Sequence, residues 1–202
     1  ADQLRVVVDI PPVHGIVEGV LGSNASITTL ISRGIDPHNY TMKPSHAAAL
    51  SEADLIVLIG ESLTPSLAEK LPSLASNAQI IELAEVSNVH LIAYEDAHED
   101  HEDDAHHDDD HRDDHKDHNH NADRDDPAQK GHDEHDSHDH SGINPHMWLD
   151  INNAGVWAHA IAKSAAELST ALTSDINANL AAFEQTLIGL KSEMQTLTAK
   201  PY

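Results

Sequence analysis

Four short apolar runs dominate the first part of the chain: "LRVVVDI" (Leu4 to Ile10), "ASITTLIS" (Ala25 to Ser32), "DLIVLIG" (Asp54 to Gly60) and "AQIIELA" (Ala78 to Ala84). They are rich in β-branched residues and nearly continuous rather than alternating. Strands buried on both faces read this way. Between them lie segments with helical spacing. Val13, Ile16, Val17, Val20 and Leu21 mark one such face. Pro44 sits where the first turn of a helix through "SHAAALSEA" would tolerate its missing N–H. "SLTPSLAEKLPSLA" supplies short helical turns. Strands alternating with helices predict an α/β fold, with a four-stranded parallel sheet flanked by helices.

The pattern stops at a tract with almost no apolar residues. From Glu95 to His140 there are 20 acidic residues against 4 Lys/Arg, a net of −16 out of the whole chain's −24. Such a composition cannot bury enough surface to offset the entropy of ordering, so 95–140 is expected to be a disordered loop. Residues 1–94 and 141–173 then form one α/β domain, and 174–202 a long helix. Asp150 is a natural N-cap for the helix that follows "NPHMWLD". Ile176, Leu180, Phe183, Leu187 and Leu190 form the apolar stripe of the longer helix, which Pro201 would stop.

Composition narrows the function. No Lys/Arg cluster is present to neutralise phosphates, so nucleic acid is not an expected partner. No apolar run approaches the roughly 20 residues of a membrane span. Cysteine is absent, which removes disulfides and thiolate metal sites. The opening "ADQLRVVVDI" reads as a mature secreted chain after removal of a leader.

Histidine carries the chemistry. In "GIDPHNYTMKPS", His38 follows the second strand, at the sheet edge where open parallel sheets bind ligands. Pro37 stiffens its approach, so less freedom is lost on coordination. His146 repeats the arrangement in "NPHMWLD", again after proline and beside an aromatic. Met147, Trp148 and Leu149 are expected to pack into the core and anchor that loop. Two imidazoles leave a zinc site incomplete, because zinc usually takes four tetrahedral ligands.

The tract adds twelve histidines, among them His107, His111 and His115, and then His132, His135, His138 and His140. Imidazole suits zinc, copper and nickel, so these are candidate auxiliary ligands. A loop that must order to bind should bind more weakly than a preformed pocket. His14 reads as a capping group or an orienting partner, and His46 and His159 as structural or solvated. Glu61 reads as a helix-start carboxylate, and His90 has no assigned role. A zinc hydrolase is the rival class. However, there is no H-E-x-x-H ("HEDDAH" is one residue too long), and no general base stands beside either Pro-His pair.

Taken together, "PVHGIVEGVLG", "GIDPHNYTMKPS", "EADLIVLIGE", the His/Asp tract, "NPHMWLD" and the long final helix closely resemble ZnuA-type proteins. These are the periplasmic zinc-binding components of ABC importers. The resemblance implies two α/β domains joined by a long helix, with the metal in the cleft between them. It further implies that His38 and His146 are first-domain ligands, that Zn²⁺ is captured in the periplasm, and that an inner-membrane permease receives it. The final helix resembles the connecting helix, and the chain reads as the amino-terminal portion, without the second α/β domain. The protein is expected to be monomeric and not an enzyme. Some relatives carry Glu before the first histidine, where this chain has Pro37. Manganese-binding members of the same family are the alternative within the class.

Overall fold

The computed structural model describes residues 3–93 and 142–198, which together form one unit. The elements in chain order are β1 (Leu4–Val8), α1 (Pro11–Leu21), β2 (Ala25–Thr29), α2 (Pro44–Glu52), β3 (Leu55–Leu58), α3 (Pro65–Ala68), α4 (Leu71–Leu74), β4 (Gln79–Glu82), α5 (Ile151–Leu168) and α6 (Thr173–Thr198). The strands are all parallel and lie in the order β2-β1-β3-β4. Val6 pairs with both Ile27 and Leu55, which fixes the central register.

The expected sheet is present, with every strand shorter than its apolar run. Residues just past the strands keep some of the ladder: Leu30 N–H donates to Val8 C=O and Ile31 N–H to Asp9 C=O, both at 2.9 Å. The central strands explain the continuous apolar runs. Val6, Val7 and Val8 and all of β3 are buried, whereas the edge strand β2 alternates between half-buried and exposed residues.

Helices cover both faces. α1, α5 and α6 pack on one another, with α5 reaching β3 and β4. α2 touches β1 and α4, on the face that right-handed crossovers assign to it. Trp157 of α5 is fully buried and its indole N–H donates to Leu83 C=O at 2.9 Å, which fastens α5 to the end of β4. Asp150 caps α5 as expected, its side chain accepting the Asn152 N–H at 2.8 Å. α1 ends at Gly22, whose φ of 54° suits glycine, and its N–H returns to Glu18 C=O.

The long final helix begins at Thr173, one residue earlier than expected, and Pro201 lies outside the described residues. Its stripe is only half used. Ile176 is buried and Leu180 and Phe183 pack against the core, but Leu190, expected on the packed stripe, is exposed. α1 and α5 give this helix its partners, and toward its far end Ile188, Leu190 and Leu197 are exposed. No described helix is long and apolar enough to cross a membrane.

Strand order reverses between β1 and β3, so the sheet has its switch point there. Asp9 sits on that point, directly after β1. Its carboxylate accepts the Ile10 N–H and the Ile59 N–H, each at 2.7 Å, and so ties the end of β1 to the end of β3.

Candidate metal centre

The loop that leaves β2 is held at two places on either side of His38. Asp36 Oδ1 accepts the His38 backbone N–H at 3.0 Å, and Oδ2 accepts the Asn39 amide at 2.7 Å. An Asp spending both oxygens on its following residues makes a local turn. Those bonds, the His38 N–H first, hold the Asp36 carboxyl below its ordinary range. On the other side, Tyr40 is buried and its hydroxyl lies 2.7 Å from His46 Nδ1. The two rings stack at 5.7 Å with 8° between planes, and the Ser66 hydroxyl donates to Tyr40 C=O at 3.1 Å. Burial pushes the Tyr40 hydroxyl up to about 12 and lowers the His46 imidazole, with Lys43 adding to the latter. At neutral pH the pair is therefore a protonated hydroxyl donating to a neutral ring. His38 itself is exposed.

The second Pro-His turn is built the same way from different parts. Pro145 and Met147 are buried and His146 between them is exposed. Trp148 is half-buried against the core with its ring 5.2 Å from that of His146. Leu149, expected in the core, is instead 76% exposed, because the turn Met147–Leu149 points one residue in three outward. Asn144 Oδ1 accepts both the His146 N–H at 3.0 Å and His146 Nδ1 at 2.8 Å. A backbone N–H can only donate, so the atom facing it is the amide oxygen, and Nδ1 must carry the hydrogen. Nε2 keeps its lone pair for a metal.

The two turns converge. The rings of His38 and His146 lie 6.0 Å apart, centroid to centroid, at 66° to one another. Two imidazoles bound to one zinc at the usual Zn–N length have centroids about 5 to 6 Å apart. Among the described residues no group of three or more His, Cys, Asp or Glu gathers to hold a metal ion. The pair thus offers two of the four donors zinc takes. The tract candidates His107, His111, His115, His132, His135, His138 and His140, and the expected disordered loop itself, lie outside the described residues.

Reading along the chain missed the residues that brace this region. Asn153 of α5 is 1% exposed. Its Oδ1 accepts the His90 N–H at 2.8 Å, and its amide donates to His90 C=O and Met147 C=O, both at 3.0 Å. One buried side chain thereby joins the His90 segment to the His146 turn. Asn144 N–H donates to Ile92 C=O at 2.7 Å, and Ala93 and Ile143 form an antiparallel bridge. His90 Nδ1 lies 2.8 Å from Asp150 Oδ2, a bond that leads the causes lowering the Asp150 carboxyl. The one available signal for Asn153 was its place four residues before Trp157, on the face of α5 that is buried.

His14 does not cap α1; its Nδ1 lies 2.8 Å from Thr29 Oγ1. Glu61 starts no helix. It lies in a turn ahead of α3. His159 bridges α5 to α6 through Glu184 at 2.7 Å.

A family model described as zinc-uptake complex component A, periplasmic, matches residues 6–201. The high-affinity zinc uptake system protein ZnuA of Paracoccus denitrificans (strain Pd 1222) is 38% identical over 164 residues, covering 81% of this chain and 48% of that protein. The protein of the same name from Yersinia pestis is 27% identical over 192 residues, 95% of this chain and 55% of that one. A crystal structure of ZnuA superposes with a TM-score of 0.68 at 26% identity, covering 95% of this chain and 57% of that one. A zinc-bound deletion mutant of ZnuA superposes with a TM-score of 0.71 at 26% identity, covering 99% and 60%. The chain spans about half the length of the curated relatives it matches.

Proposed function

From the premise that this chain belongs to the periplasmic zinc-uptake component A family, we propose that it captures Zn²⁺ in the periplasm for an ABC permease in the inner membrane. The family is one of uptake components, not of enzymes. His38 and His146 are two of the ligands, His146 binding through Nε2. The observation that carries this reading is the 6.0 Å approach of the two rings. Both stand on braced turns, so little freedom is lost when the ion arrives.

The remaining ligands come from outside the described residues. In this reading residues 1–94 and 141–173 are the amino-terminal metal-binding domain, and 174–202 is the helix that leads to a second α/β domain. The His/Asp tract, 95–140, is an auxiliary zinc site of lower affinity that concentrates or buffers the ion. Zinc is favoured over manganese because imidazole suits zinc, whereas manganese prefers more oxygen donors.

Competition titration of the full-length protein with a zinc-sensitive chelator tests the assignment. His38→Ala and His146→Ala should each abolish tight Zn²⁺ binding while leaving the thermal transition in place. Wild-type affinity in either variant would remove that histidine from the site. Deleting Ala97 to Ser141 should leave one tight site and eliminate the weaker ones, and loss of the tight site would overturn the auxiliary role.

A further inference from the structure

His90 and His146 line one cavity of about 500 Å³, whose walls also carry Ile92, Leu149, Asp150 and Met194. The His90 ring is 65% exposed and meets Asp150 through Nδ1 at 2.8 Å. A carboxylate only accepts, so Nδ1 donates and Nε2 is the ring atom left to take a metal. A histidine oriented by a carboxylate through one nitrogen is the usual arrangement behind a metal ligand. His146 has the same arrangement, with Asn144 in the carboxylate's place.

The segment and the helix cap both have partners besides this ring. Asn153 already holds both the N–H and the C=O of His90, so the segment needs no further anchor. Asp150 caps α5 with Oδ1 and meets His90 with Oδ2, so the cap does not depend on His90. The imidazole is held in a fixed direction by Asp150 and lines the same cavity as His146.

Resting on the zinc-capture reading above, we propose that His90, oriented by Asp150, is an entry ligand for Zn²⁺. The ion, still largely hydrated, binds His90 Nε2 first and then moves to His146 and His38. One imidazole with water holds zinc weakly, which suits a ligand that must let go. In the exchange a Zn–N bond to His146 forms, the Zn–N bond to His90 breaks, and bound water leaves. The Nδ1 hydrogens stay on the two rings, donated to Asp150 and Asn144, so no proton or electron changes hands.

Stopped-flow mixing of the full-length protein with Zn²⁺ and a fluorescent chelator tests this. His90→Ala should slow zinc uptake by about threefold or more while the equilibrium affinity stays within about twofold. His90→Gln, which keeps polarity without the ring, should behave the same way, and thermal unfolding of both variants shows that the fold is kept. Loading at the wild-type rate would overturn the entry role. A loss of equilibrium affinity as large as that of His38→Ala would also overturn it, by making His90 a permanent ligand. Failure of the wild-type protein to bind Zn²⁺ would instead sink the capture reading and this inference with it.

Discussion

The Phe183 ring of α6 lies so close to Gly19 of α1 that a Cβ there would stand 2.5 Å from ring Cδ2 and 2.8 Å from Cε2. Glycine at this site lets the two helices meet. Gly19→Ala gains roughly 0.5–1 kcal/mol of helix propensity but forces the ring or the helix to move. Overpacking of this kind costs about 1–3 kcal/mol, so the net effect should be destabilising. Urea unfolding should show a lower midpoint for Gly19→Ala, and Phe183→Leu in the same chain should recover much of it. Full additivity of the two substitutions would mean that the ring does not press on this position.

Asp9 makes stability depend on pH in the opposite sense to most carboxylates. Burial pushes its carboxyl up to about 6, against backbone N–H bonds, led by that of Ile59, that pull it down. Between the unfolded value near 4 and about 6, the folded chain binds the proton more tightly than the unfolded one. Stability should therefore fall as pH rises through that window, by an amount on the order of 3 kcal/mol. Asp36, Asp54 and Asp150 are shifted downward, so their contributions are lost only as pH falls below about 4. Thermal scans from pH 4 to 7 check this. Glu82, also raised by burial, adds in the same sense, and His46, lowered by burial, in the opposite one. Asp9→Asn should therefore flatten the slope rather than abolish all pH dependence, whereas equal slopes would show that Asp9 is not the group responsible.

What could be read from the sequence was whatever lay on a repeating pattern or in a short motif. Strands β1 and β3 stood out because a central parallel strand is buried on both faces, so its run is unbroken. Pro44 and Asp150 marked helix starts because their chemistry suits only the first turn. Two Pro-His pairs could be singled out, but that they meet is a consequence of how a loop after an edge strand and a turn before α5 are brought together. Asp9 could not be seen at all, and Asn153 only through its place on the buried face of α5. A polar residue satisfied by backbone groups far along the chain looks, in sequence, like any surface Asn or Asp. Leu149 and Leu190 failed for the converse reason: an apolar residue on a turn or a long helix is covered only if something lies opposite it.

Tyr40 and His46 set the loop that carries His38. Tyr40→Phe keeps the buried ring and its stack but removes the hydroxyl from His46 Nδ1. Losing one such bond costs about 1 kcal/mol, less where water reaches the abandoned ring nitrogen. The loop then holds His38 less firmly, and the ion must order it on binding. Zinc affinity of the full-length protein should fall by up to about tenfold, the lower end of what outer-shell partners contribute. Chelator competition measures this, and unchanged affinity with an unchanged thermal midpoint would show that the stack alone fixes the loop.

Asn144 is the more sensitive position, because it fixes both the rotation and the tautomer of His146. Its Oδ1 holds the backbone N–H and the ring Nδ1 at once, while its own N–H reaches Ile92. Asn144→Ala frees the ring to rotate and allows the hydrogen to sit on Nε2, where it blocks the metal. Zinc affinity should drop by about 10–100-fold. Asn144→Asp offers an oxygen in the same place and adds a negative charge behind the ring, which favours a bound cation. It should hold zinc at least as tightly as the wild type. Calorimetric titration of the three proteins separates the cases. If the aspartate variant binds as poorly as the alanine variant, the amide nitrogen rather than the oxygen is what the site needs, and the tautomer argument fails.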